Sequence, residues 1–264
     1  MIVSDRVWQR YISNLAKINA TATEKMRVFI TKNPLESEED LDKWVAYAFG
    51  LSAKYGEAAA ALAAEMYDAM AEAEDVDIEP AEPAEPATYG DTAGTILGVL
   101  KVSLSLEELS SAVGRLVKRA GADTVMQNAI RDNAFYAFIP HNDTCAFCLS
   151  IAAEGWKKAY SNALKNGHAA HIHGNCDCMY AVKFNEQTQY RSYNPEEYVS
   201  IFDSVEGKTQ EERINALRRQ FYAENRTEIL AQKKAAEEIR DEISEATKDF
   251  VEELVDTYGE EAEE

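Results

Sequence analysis

The sequence predicts a mainly α-helical fold in which long helical arms flank one small β and loop module. Three observations carry that expectation. Apolar residues recur at helical spacing in the first 75 residues, again from Thr95, and through the last third of the chain. Two short aromatic and β-branched runs, Phe135–Ile139 and Met179–Phe184, have the composition of paired strands. Between them, from His141 to Cys178, lie all four cysteines (Cys145, Cys148, Cys176, Cys178) and all four histidines (His141, His168, His171, His173).

In order along the chain, Val7, Trp8, Tyr11, Ile12, Leu15 and Ile18 mark one face of a first helix, which Asn33-Pro34 ends. Ser37 with Asp40 has the pattern of a capping box opening a longer second helix. Its apolar face carries Leu41, Trp44, Val45, Ala48, Tyr55, Leu62, Met66 and Met70, and the near-continuous alanines from Ala58 to Ala64 permit close helix approach. From Glu79 to Pro86 a three-residue unit of Glu, Pro and Ala repeats. Prolines so spaced block helix and favour polyproline II, giving a semi-rigid acidic spacer, or alternatively a docking motif for a Pro-recognising domain. Helix is expected to resume at Thr95. Ser105 and Glu108 cap a further helix that Gly121 stops, and another begins near Asp123. Past the β runs, Pro195 opens a short helix, and Thr209 with Glu212 caps a long one containing Ile214, Leu217, Phe221 and Tyr222. A seam of Ile229, Gln232, Ala236, Ile239, Ile243, Ala246 and Phe250 spans about three heptads, the lower limit for a coiled coil, before an acidic tail. The expected organisation is an N-terminal helical arm (1–75), an acidic Pro-rich linker (76–94), a helical segment (95–134), a metal-binding module (135–185) and a C-terminal helical arm with the acidic tail (186–264).

The clustered thiols and imidazoles suggest one closed structural zinc site. Zn²⁺ favours tetrahedral sulfur and nitrogen coordination, the C-x₂-C of Cys145 and Cys148 can place two thiolates on one ion, and a second pair returned by a loop completes the shell. Disulfide or redox use of the C-x₂-C is the rival reading, although no βαβ pattern surrounds Cys145 as a redox motif would need. Two strands alone are marginal in water, and a metal joining their ends supplies stability because the binding energy of an unformed site is folding energy.

The same residues carry a family resemblance. Cys145-Ala-Phe-Cys148, the Ala-Ala-Glu-Gly turn from Ala152 to Gly155, and His173-Gly-Asn-Cys176-Asp-Cys178 running into an apolar strand resemble the signature of tailed-bacteriophage minor head proteins, the phage Mu F-like head morphogenesis family and its relatives in phages of Gram-positive hosts. The matching core runs from about Phe135 to Phe184, with Gly174 where family members often carry proline. The resemblance implies a metal set drawn from Cys145, Cys148, His173, Cys176 and Cys178, and it sets His171 outside the H-x₂-C-x-C pattern. It further implies a portal-associated protein in the capsid interior that assists head assembly and DNA passage, with the portal and also the major capsid or scaffold protein as partners.

Composition bounds the alternatives. A formal charge of −20 argues against a broad phosphate-binding surface and hence against direct DNA binding, which rests on Lys and Arg. The locally basic group Arg115, Lys118, Arg119 and Arg131 is either a solvated helix face or the place where an acidic partner approaches. No stretch has the length of a membrane span, and no basic-then-apolar leader opens the chain, so synthesis in a host cytoplasm with reduced thiols is expected. Nucleotide-binding glycine motifs are missing, and the H-x-E ahead of P-C-x-x-C that a zinc deaminase needs is not present. The function expected is therefore a non-enzymatic minor capsid protein with structural zinc. The alternatives are a zinc-supported nuclease using His171, His173 and Asn175, or a non-viral zinc-stapled helical adaptor. Within the head-protein reading, the helical arms rather than the zinc module are expected to touch the portal.

Overall fold

A computed structural model describes residues 5–102, 105–140, 145–160, 179–227 and 230–231. Among these the protein is mainly helical, with one small three-stranded sheet. Helix α1 (Asp5–Lys32) and helix α2 (Glu38–Ala73) form an antiparallel pair joined at Asn33-Pro34. The joint is fixed from three sides. Asn33 donates through Nδ2 to the Phe29 carbonyl, Trp44 donates through Nε1 to the Asn33 carbonyl at 2.7 Å, and Phe29 stacks on Tyr47. Ser37 caps α2 by accepting from the Asp40 amide, and its hydroxyl donates to the Asp40 carboxylate.

Helix α4 (Leu106–Arg131) is the centre of the molecule, packed by α1, α2, helix α3 (Tyr89–Val102) and the sheet. It runs through Gly121 without a break. The expected stop is wrong because this glycine is used for close approach: a Cβ there would lie 3.4 Å from the Ala59 carbonyl oxygen of α2. Ala59, Ala60 and Ala63 are fully buried on the opposite side of that crossing, so the alanine run brings α2 onto α4 as expected. A glycine inside a helix costs up to about 1 kcal/mol relative to alanine, which tertiary packing here outweighs.

Pairings along the two helices, Gly56 with Ala120, Ala59 with Gly121 and Tyr67 with Asp132, show that α2 and α4 run parallel. Parallel neighbours need a return path, and the Pro-rich stretch followed by α3 provides it. The 36 residues of α2 rise about 54 Å. The 13 residues from 76 to 88 can cover about 40 Å at the polyproline II rise, and the 14 of α3 add about 21 Å. The stretch is extended, as its prolines require, but it is no free spacer. Its main chain is bonded to both helices. The Ala81 amide donates to Asp68 Oδ1 (2.8 Å), the Glu82 amide to Asn128 Oδ1 (3.0 Å) and the Ala84 amide to Thr124 Oγ1 (2.9 Å). Asn128 Nδ2 and Gln127 Nε2 donate back to the Glu82 carbonyl, and Arg131 holds the carbonyls of Glu79 and Pro80.

Burial in this strap repeats every third residue: Ile78, Ala81, Ala84 and Ala87 turn inward, while Glu79, Glu82 and Glu85 stay exposed. That is the period of a polyproline II helix, and it explains why alanine recurs where the strap meets the helices. The first 75 residues are accordingly not an arm. Trp8, Tyr11, Ile12 and Leu15 of α1 and Leu41, Trp44, Val45, Met66 and Met70 of α2 share one core with α4 and the sheet. Three of the four basic residues are also engaged within the fold: Arg131 clamps the strap, Arg119 pairs with Asp123 and Lys118 is buried.

Strand β1 (Phe135–Ile139) lies between strand β2 (Lys157–Lys158) and strand β3 (Met179–Lys183). The two expected strands pair antiparallel, with Phe135 opposite Lys183 and Ile139 opposite Met179. The short β2 has no sequence pattern of its own and forms because Phe135 and Tyr136 pair with Lys158 and Lys157. Helix α5 (Ala146–Ala152) follows β1, and helices α6 (Pro195–Asp203) and α7 (Gln210–Glu224) pack on α5. The C-terminal seam from Ile229 to Phe250 falls, but for Leu230 and Ala231, outside the described residues. No helix among the described residues is long and apolar enough to cross a membrane.

Candidate metal centre

Cys145 stands where β1 has ended and α5 begins. Its backbone is extended, and its Sγ accepts the amide of Cys148 at 3.4 Å. Sulfur thus does at α5 what a hydroxyl does at the other capped helices, where Ser37, Ser105 and Thr209 each accept from the amide three residues on. The turn places Cys145 and Cys148 three residues apart across the start of α5. Cys145 is half-buried and Cys148 is 1% exposed.

Alpha-5 is gripped on two sides. Cys148 and Ala152 pack into the main core, whereas Ala146 and Phe147 meet a second small cluster with Phe202, Ile214 and Leu217. At its end, Tyr193 donates through its hydroxyl to the Ala152 carbonyl at 2.6 Å, and Gly155 takes a positive φ of 70° as the chain turns toward β2. The thiol-bearing turn is therefore held by packing, the support that a metal-binding loop needs.

The remaining candidates, His173, Cys176 and Cys178, lie outside the described residues, as do His141, His168, His171 and Asn175. Among the described residues no three His, Cys, Asp or Glu side chains gather as a metal-holding group. What the fold does fix is the neighbour of the second pair in the chain. Met179, the residue after Cys178, is paired with Ile139, the last residue of the strand that leads to Cys145. Of the candidate ligands, the described residues therefore hold two sulfur donors, Cys145 and Cys148, on one supported turn. A small cavity of about 10 Å³ beside Met179, lined by Tyr11, Leu15, Lys118, Phe138, Met179 and Tyr180, has room for about one water molecule.

The opposite end of β3 carries a polar cluster that the sequence reading missed. Glu74, the C-cap of α2, is 4% exposed, and its Oε2 accepts the amides of Phe184 (3.1 Å) and Asn185 (2.7 Å) and the Asn185 side chain (3.0 Å). Lys183 is buried beside it, donating to the carbonyls of Glu186 and Thr188 and lying over the rings of Trp156 and Phe135. Burial pushes the Lys183 ammonium below the usual lysine range, and the carboxylates of Glu74 and Glu186 oppose that shift. No local signal marks Glu74 among so many acidic residues. Its role comes from a strand that is more than a hundred residues away in sequence.

No curated protein and no solved structure shows significant similarity to the chain. A family match does: residues 2–205 fit the model described as VG15 protein, which takes in every described element up to α6 and the whole Cys and His cluster. The chain therefore belongs to the VG15 protein family, a viral family.

Proposed function

We propose that this chain is a phage minor head protein that assists head assembly and DNA passage at the portal, with its β module held by one structural zinc ion. The observation that supports the reading is that Met179, next in the chain after Cys178, pairs with Ile139, the last residue of the strand that precedes the Cys145 turn. The family match supports the viral setting, and the motif resemblance supports the head. In this reading Cys145 and Cys148 supply two ligands, and two of His173, Cys176 and Cys178 supply the others. Zinc bound there would contribute a tetrahedral cross-link rather than an activated water, because four protein ligands leave no open position. The protein would then have no catalytic activity of its own, in preference to the nuclease alternative.

The test is elemental analysis of purified full-length protein and its Cys-to-Ser variants. One zinc per chain is expected, lost in the Cys145→Ser/Cys148→Ser double variant. Stoichiometric zinc retained by that variant would sink the assignment. Metal-dependent DNA cleavage by the same preparations, abolished by His173→Ala with the fold intact, would replace it with the nuclease reading.

A further inference from the structure

The strap presents three rows of side chains, and the alanine row, with Pro86 at the end of the proline row, packs on the fold. Glu79, Glu82 and Glu85 form one exposed row, and Pro80 and Pro83 are exposed on another, while Pro86 is partly tucked against Gly56. The strap is locked from its inner side by hydrogen bonds to its main chain, from Asn128 (1% exposed) and Thr124 (0%) among others. Its outward side chains are thus fixed in spacing, about 9 Å between successive glutamates at the polyproline II rise.

We infer that the strap is a docking ridge, formed by Glu79, Pro80, Glu82, Pro83 and Glu85, for a partner groove lined with aromatic side chains and rimmed by Lys or Arg. Aromatic grooves take proline-spaced extended segments because the polyproline II form is already ordered and loses little entropy on binding. Here the ordering is complete before any partner arrives, since α2 and α4 impose it. The carboxylate row adds charge complementarity to a basic rim, which steers association and fixes direction along the ridge.

This inference rests on the portal-associated reading above, and a purified phage portal protein is the probe. Full-length chain is titrated onto immobilised portal, wild type against Pro80→Ala/Pro83→Ala and against Glu79→Gln/Glu82→Gln/Glu85→Gln. Each variant leaves the inward bonds of the strap in place, and thermal unfolding checks that each is folded. Both variants are expected to bind about tenfold or more weakly, and added salt should weaken the wild type more than the glutamine variant. If the proline variant loosens the strap, the glutamine variant, which keeps every proline, decides. Wild-type binding with both folded variants binding equally well overturns the ridge alone. Failure of the wild type to bind overturns the portal reading and the ridge with it.

Discussion

Asn128→Ala is the substitution that most directly probes the strap. The Asn128 side chain accepts the Glu82 amide at 3.0 Å and donates to the Glu82 carbonyl at 2.9 Å and to the Thr124 carbonyl at 2.7 Å. Alanine removes all three. The bond to Thr124 lies within α4 and leaves a carbonyl on the helix, so its loss is small. The Glu82 carbonyl keeps Gln127 as a donor at 2.6 Å, whereas the Glu82 amide loses its acceptor in this fold. At about 0.5–1.5 kcal/mol net for each bond, with a small packing loss for a buried side chain, the expected destabilisation is about 2–3 kcal/mol. For a domain of this size that lowers Tm by roughly 5–10 °C. Hydrogen exchange should show the loss first at the amides of Ala81, Glu82 and Ala84, because α2 and α4 pack directly beneath the strap and stay closed when it lifts. Gln127→Ala, at a more exposed position, should stay within about 0.5 kcal/mol of wild type. An Asn128→Ala protein with wild-type unfolding and unchanged exchange at those three amides would refute the reading of the strap as a bonded part of the core.

Two further predictions concern buried polar groups. Glu74→Ala should cost about 3 kcal/mol or more, because two main-chain amides and one side-chain amide at the end of β3 lose a charged acceptor; Glu74→Gln, which keeps an oxygen there, should cost less, and equal losses by chemical denaturation would count against the latch. The second is an alkaline limit: Tyr11, Tyr67, Tyr190 and Tyr193 are held protonated above the usual tyrosine range by burial, with Asp132 adding to the shift at Tyr67. The folded state keeps protons that the unfolded chain releases near pH ~10, so stability present below that pH is lost as pH rises above it. Lys183, shifted down, opposes this as one group against four. Phenolate absorbance should rise together with loss of helical circular dichroism, and full tyrosine ionisation in a folded protein would contradict the assignment.

Much of this fold was legible because local signals and tertiary structure agreed. Ser37, Ser105, Pro195 and Thr209 open helices where their cap chemistry says, and the aromatic runs at Phe135 and Met179 pair. One legible signal went unread: Thr88 and Asp91 exchange amide bonds in a capping box that starts α3 several residues before Thr95. The misreadings came where distance in sequence decides. Gly121 has the look of a helix end and is a crossing point, because Ala59 lies against it. The prolines forecast an extended strap but not its attachment, since Asp68, Thr124 and Asn128 carry no mark of the partner they bond. Of the candidate site, spacing marked Cys145 and Cys148 as a pair, but neither the helix that Cys145 caps nor the support given by Tyr193 and the α6–α7 cluster had a local signal.

The Lys183 end of β3 is tied by side-chain chemistry, and this bounds what a zinc ion at the other end could add. At Phe184 and Asn185 the chain leaving the strand is fixed to α2 through Glu74. In its middle, Ala181 and Val182 are fully buried against the helices, and Tyr190 donates to the Val182 carbonyl at 2.6 Å. Only the end at Met179 meets the cysteine-rich segment. A zinc ion there would not be asked to fold a chain of 264 residues, as it is in small domains that have no other core. Its contribution would be local: to hold the return from Cys178 against the Cys145 turn, on a sheet that α1, α2 and α4 already position. The scaffold around β3 should therefore keep its fold when zinc is withdrawn.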